Sequence, residues 1–138
     1  SYGASVTYAG VEGSTDYTTY WGLNGYWTPS EAGSLTSLSV GYEWGTPETS
    51  NPDTTHYFVG LQWDEVGPGT FGTAIGTKAP VAGSGPNLAA ADELLMYEAF
   101  YSYPINDGMT ITPLVYIKEF AAGTTDETGV MVKTSFSF

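Results

Sequence analysis

The chain of 138 residues has no cysteine and no arginine, only three lysines and one histidine. Without cysteine there can be no disulfide, no thiolate nucleophile and no cysteine-held metal. Without a basic surface there is nothing to replace phosphate counterions, so nucleic-acid binding is excluded in practice. Charged residues make up 13% of the chain, about half the share of an ordinary soluble domain. No apolar run approaches the ~20 residues that a membrane-spanning helix requires. The sequence also carries no initiator Met and no signal peptide; read on its own, it looks like a mature product or the carboxy-terminal part of a longer chain.

What is abundant points elsewhere. Fifteen acids give a formal charge of −12, glycine occurs 18 times, and 15% of residues are aromatic. The chain ends on Gly-Val-Met-Val-Lys-Thr-Ser-Phe-Ser-Phe, residues 129–138. Val130, Val132, Phe136 and Phe138 alternate there with Met131, Lys133, Ser135 and Ser137, the two-residue period of a strand with one apolar and one polar face. Ten residues suffice for a tilted strand to cross a bilayer.

The same alternation predicts strands over 2–11, 17–27, 35–44, 55–63, 70–77, 94–103 and 109–120, with Pro113 suggesting a bulge in the seventh. Asn106-Asp107-Gly108 is a hairpin signal that supplies left-handed positions. No helix of ordinary length is visible, although 88–92 could form one helical turn. The expected fold is therefore all-β, a single domain over 1–138 in which eight antiparallel strands make a transmembrane β-barrel. Whether the eight close on themselves or belong to a larger barrel stays open.

Two regularities support a membrane barrel. Links 12–16, 45–54, 78–93 and 121–128 fall at one end, and 28–34, 64–69 and 104–108 at the other. The first set is longer and more acidic, as expected of outer loops against periplasmic turns. On the apolar faces, Tyr2, Trp27, Trp63, Phe71, Tyr103 and Phe138 lie at the turn ends, and Tyr17, Trp44, Tyr57 and Tyr97 at or near the loop ends. They bracket an aliphatic band of Leu23, Leu38, Val40, Val59, Leu61, Ile75, Val115, Ile117 and Val132, the arrangement of two aromatic girdles facing lipid.

At Trp21-Gly-Leu-Asn-Gly-Tyr-Trp-Thr-Pro, Ser39-Val-Gly-Tyr-Glu-Trp-Gly and Phe58-Val-Gly-Leu-Gln-Trp-Asp the sequence resembles cyanobacterial outer-membrane porins, the iron-uptake porins related to the carbohydrate-selective porins. The resemblance implies an outer-membrane location and transport of ions or carbohydrates. It also implies a longer protein with a surface-layer-homology domain and a coiled coil before a large, often trimeric barrel. This chain matches only the last part.

The other face carries Asn24, Glu43, His56, Gln62, Glu98, Tyr116, Lys118 and Lys133 among Gly, Ser and Thr. It reads either as a pore wall on which Glu43 and Glu98 against Lys118 and Lys133, charges that nearly cancel, set selectivity, or as a salt-bridge network filling a small closed barrel. Gly22, Gly41, Gly60, Gly72 and Gly76 fill space poorly and favour a water-filled lumen. One histidine without partners at ligand spacing makes neither a metal site nor a triad, so no cofactor and no enzyme activity are expected. The expected function is passive diffusion of small hydrophilic solutes or inorganic ions, with lipid and lipopolysaccharide as surroundings. Acidic loops give a weak cation preference. A plugged eight-stranded barrel acting as anchor or adhesin, and a soluble all-β carbohydrate-binding module, are the alternatives.

Overall fold

A computed structural model describes residues 1–12, 17–29, 35–48, 53–77, 94–120 and 124–137. The alternating segments become eight strands: β1 (Tyr2–Glu12), β2 (Tyr17–Trp27), β3 (Ser37–Pro47), β4 (Thr54–Val66), β5 (Gly69–Thr77), β6 (Leu95–Asn106), β7 (Met109–Lys118) and β8 (Glu127–Phe136). They form one antiparallel sheet in chain order. The ladders extend further toward the turns than the alternation suggests. The expected turn 64–69 shrinks to two residues, and so does 104–108, because backbone pairing continues through polar positions that hydropathy reads as loop. The last strand begins at Glu127 rather than 129, pairing it with Lys118. Phe138 and the segment 78–93, with its expected helical turn, lie outside the described residues.

Two local expectations are corrected. Pro113 makes no bulge. The β6–β7 ladder passes from Phe100↔Leu114 to Tyr103↔Ile111 without slipping, and the register shift falls between Pro104 and Asn106. Proline lacks an N–H but fits an extended φ, so it removes a bond without forcing an extra residue; Thr112 Oγ1 donates to Ser102 Oγ (3.3 Å) at that place. The hairpin at Asp107-Gly108 uses no left-handed residue. Instead Gly108 N–H donates to Asn106 Oδ1 (2.9 Å), an Asx turn. The positive φ angles are at Glu65 (58°) and Gly67 (62°), where the β4–β5 register shifts.

The pairing carries a net stagger across the sheet. Following partners across the sheet from Tyr2 leads through Trp27, Leu38, Leu61, Thr73, Ala99 and Val115 to Val130, six residues before the end of β8 at Phe136. Six residues along the strands against seven strand spacings gives a tilt of about 30°, approaching that of β-barrels.

The sheet is nevertheless open. Contacts run only between sequence neighbours, and among the described residues β1 and β8 do not meet. Closure of the eight strands on themselves is thus not observed. An eight-stranded barrel has an interior just wide enough for side chains, and the polar face here already carries Tyr20, Tyr26, Phe58, Phe100 and Tyr116. Nor is there a second layer: among the described residues no hydrophobic side chain is buried.

Candidate pore wall

Residues opposite one another in an antiparallel ladder share a face, so the registers assign every strand position to one of two surfaces. On the first lie Tyr2, Val6 and Tyr8 of β1, Trp21, Leu23 and Trp27 of β2, and Leu38, Val40, Tyr42 and Trp44 of β3. Val59, Leu61 and Trp63 of β4 continue it, then Phe71 and Ile75, Tyr97 and Tyr101, Ile111, Val115 and Ile117, and finally Val130 and Val132. Its aromatic rings gather into clusters at opposite ends. Trp21 stacks on Trp44 (6.4 Å between centroids) and contacts Tyr8 (4.9 Å), with Tyr42 6.0 Å from Trp44. Toward the turn end, Trp63 packs on Phe71 (5.6 Å) and Tyr101 beside Tyr103 (6.5 Å). Of the girdle expected from sequence, Tyr17, Trp27, Trp44, Tyr57, Trp63, Phe71 and Tyr103 all belong to this surface. Tyr42 carries the aromatic cluster inward to the middle of β3.

The second surface holds all eight polar residues singled out above: Asn24, Glu43, His56, Gln62, Glu98, Tyr116, Lys118 and Lys133. They do not converge on one point. Glu43 and His56 are cross-strand partners and line a cavity of about 470 Å³ with Thr7, Tyr20, Asn24 and Phe58. His56 Nδ1 lies 3.3 Å from Thr77 Oγ1, which also accepts Tyr57 N–H (3.0 Å). Gln62 is tied down at the turn end, where Asp64 Oδ1 accepts from its Nε2 (3.1 Å) and from Thr70 Oγ1 (3.0 Å). Lys133 stands on the edge strand opposite Thr112. Among the described residues no three His, Asp or Glu side chains come together as metal ligands.

Charge on this surface differs from the near-cancellation expected of Glu43 and Glu98 against Lys118 and Lys133. Glu127, read from sequence as a loop acid, is the first residue of β8 and binds Lys118 at 3.2 Å. Its Oε1 also accepts Tyr116 OH (3.1 Å), and Lys118 Nζ sits 4.7 Å from the Tyr116 ring centroid. With Asp64 at the turn end, four carboxylates therefore face two lysines. The pair itself is a partly exposed ion pair (side chains 32% and 45% exposed), worth at most about 1 kcal/mol.

The glycines are not the gaps they seem in the sequence. The most enclosed residues of the described chain are Gly41, Gly45, Gly69 and Gly72. A Cβ on Gly41 would overlap the Phe58 ring, one on Gly45 the Tyr20 ring, and one on Gly72 the Phe100 ring. Gly76 lies against Phe58 as well, whereas Gly22 and Gly60 are open. Each ring lies down over a neighbouring glycine instead of standing out from the sheet. The wall thus stays thin although it carries large side chains, and the space above it is kept by flat rings rather than by missing ones.

Sequence reasoning passed over one feature of this surface. Phe58, Met96, Phe100, Leu114 and Met131 are apolar, yet they alternate onto the polar side. Each was visible in its own strand as an exception to the pattern; only the registers bring them together.

Comparison with known proteins gives no match to a family model, to a curated protein or to a solved structure.

Proposed function

We propose that this chain is part of the wall of an outer-membrane β-barrel pore, through which small hydrophilic solutes or inorganic ions pass by diffusion. The observation that carries the reading is the absence of a hydrophobic core in a sheet whose two exposed faces differ. One is predominantly apolar and bounded by aromatic clusters; the other is predominantly polar. In water such a sheet would expose Leu23, Val40, Val115, Val130 and Val132 together, far beyond the scattered apolar residues a soluble surface tolerates. Lipid on one side and water on the other remove that cost, and between neighbouring strands the backbone polar groups pair with one another. The free edges of β1 and β8 then pair with further antiparallel strands, since an open edge cannot stand in hydrocarbon. The β1 edge carries few of the defences of an exposed strand: it has no proline, no bulge and only Glu12 as a charge.

The resemblance to cyanobacterial porins agrees with this reading and adds the outer membrane as location, lipopolysaccharide as neighbour and a trimer as assembly. A sugar-binding module in water is disfavoured by the missing core.

Selectivity follows from charge. Glu43, Glu98 and Glu127 exceed Lys118 and Lys133 on the polar face, and Glu48, Asp53 and Asp126 lie near its loop end. In a planar bilayer the protein should conduct with a weak cation preference, read as a reversal potential under a salt gradient. The preference should fade as ionic strength rises, because the Debye length falls from about 10 Å at 0.1 M to about 3 Å at 1 M. Protein that inserts but gives no conductance, or that stays monodisperse without detergent, overturns the pore. Anion preference overturns the charge assignment alone.

A further inference from the structure

The apolar residues on the polar face form a grid. One cross-sheet row reads Phe58, Gly76, Met96, Lys118, and four residues along the strands another reads Gly72, Phe100, Leu114, Met131. Between them runs Ala74, Glu98, Tyr116, Gly129. Glu98 therefore stands in the middle of the patch, with Met96 and Phe100 on either side along β6, and Ala74 and Tyr116 across from it. A cavity of about 450 Å³ opens over this grid, lined by Phe58, Met96, Glu98, Leu114, Lys118 and Met131.

The two ends of the cavity differ in charge. Lys118 and Tyr116 are both engaged by Glu127. Glu98 is exposed, and no hydrogen bond or ion pair of its carboxylate is found among the described residues. Around it the surface offers ring faces and thioethers: Phe58 is 42% and Met131 56% exposed. The Phe58 ring lies flat over Gly41 and lines the cavity, and the Phe100 ring lies flat over Gly72 at its margin. A pore wall serving only small ions would have no use for such a patch, since apolar side chains toward water cost free energy and give hydrated ions nothing.

We infer that this patch is a solute-binding site for amphiphilic organic cations, the apolar body lying on Phe58, Met96, Phe100, Leu114 and Met131 and the cationic head at Glu98. A single unpaired carboxylate inside an apolar frame selects this class by chemistry. It attracts a cation, the ring and sulfur surface receives an aromatic or alkyl body, and an anion of the same shape is repelled at Glu98, while Lys118 at the far end is held by Glu127. The inference rests on the pore reading, because it needs the patch to face a water-filled lumen.

The test is current blockade in the reconstituted protein with benzyltrimethylammonium, tetramethylammonium and benzenesulfonate as probes. Benzyltrimethylammonium should half-block at a concentration about five-fold below that of tetramethylammonium, and benzenesulfonate should not block. Glu98→Gln should weaken the benzyltrimethylammonium block by about five-fold. Leu114→Ser should weaken it by a similar factor while leaving the block by tetramethylammonium within about two-fold, and it provides the reading should Glu98→Gln fail to insert. A pore that conducts but does not distinguish the two cations, or that keeps the distinction in both variants, overturns the site and means that another part of the barrel covers the patch. Absence of conductance in the unaltered protein overturns instead the pore on which the site depends.

Discussion

Val40→Arg is expected to lower the unfolding free energy of the membrane-inserted protein by about 2–4 kcal/mol, and Ser39→Arg, one residue away, by much less. Val40 lies between Gly25 and Val59 on the apolar surface, and Ser39 between Tyr26 and Gly60 on the polar one. Both belong to the same strand, so edge effects cancel in the comparison, and the ~1 kcal/mol span of β propensity is smaller than the difference expected from the medium that each side chain meets. On the proposed reading an arginine at Val40 must be carried into hydrocarbon or drag water with it, whereas at Ser39 it extends into water. Urea titration of the two variants in liposomes gives the comparison directly. Equal penalties, or the larger one at Ser39, would mean that the faces are reversed or that neither faces lipid.

The second large effect concerns a single hydrogen atom. Gly69→Ala should destabilise the protein by about 3 kcal/mol, the upper end of the usual range for overpacking. The added methyl would run into the carbonyl oxygen of Ser102 and the ring of Tyr101. The carbonyl is backbone and cannot step aside. Tyr101 is held as well, its OH donating to Val66 O at 2.6 Å across the β4–β5 turn. Gly60→Ala is the control, because the nearest atom to its new methyl is Ser39 Cβ at 3.9 Å. It should be neutral or stabilising by up to about 1 kcal/mol, as expected when a glycine of open surroundings loses its freedom in the unfolded chain. Unfolding midpoints of the two variants in the same detergent separate the cases. Similar stabilities would show that the close approach of β5 to β6 at Gly69 is not maintained.

The two substitutions probe different kinds of knowledge about the chain. Which face Val40 and Ser39 occupy was legible in the sequence, because side chains alternate every residue along a strand and the apolar set of 35–44 falls on one parity. The eight strands of the described residues, and the absence of helices among them, were legible for the same reason. Strand ends were less so: β4 runs on to Val66 and β6 to Asn106, through Asp64, Glu65 and Pro104. Backbone hydrogen bonding sets where pairing stops, whereas composition records only where hydropathy does.

What crosses from strand to strand could not be read from a list of residues. Gly69 gives no sign in the chain that it lies beneath Tyr101 and Ser102, thirty-odd positions later; the β5–β6 register decides it. Gly72 seemed a gap in the wall until that register brought Phe100 over it. Glu98 seemed one of four balancing charges until the neighbouring strands placed Leu114 and Met131 around it and drew Lys118 away to Glu127. Alternation along a strand is a local property and survives translation into sequence. Adjacency across strands depends on turn geometry and on bulges of one residue, such as the shifts at Glu65 and beside Pro104, and a slip of a single position would turn the partner's whole face over. The sequence by itself determined that this protein is a sheet with one apolar and one polar side; only the tertiary structure decided which side chains share a neighbourhood on each.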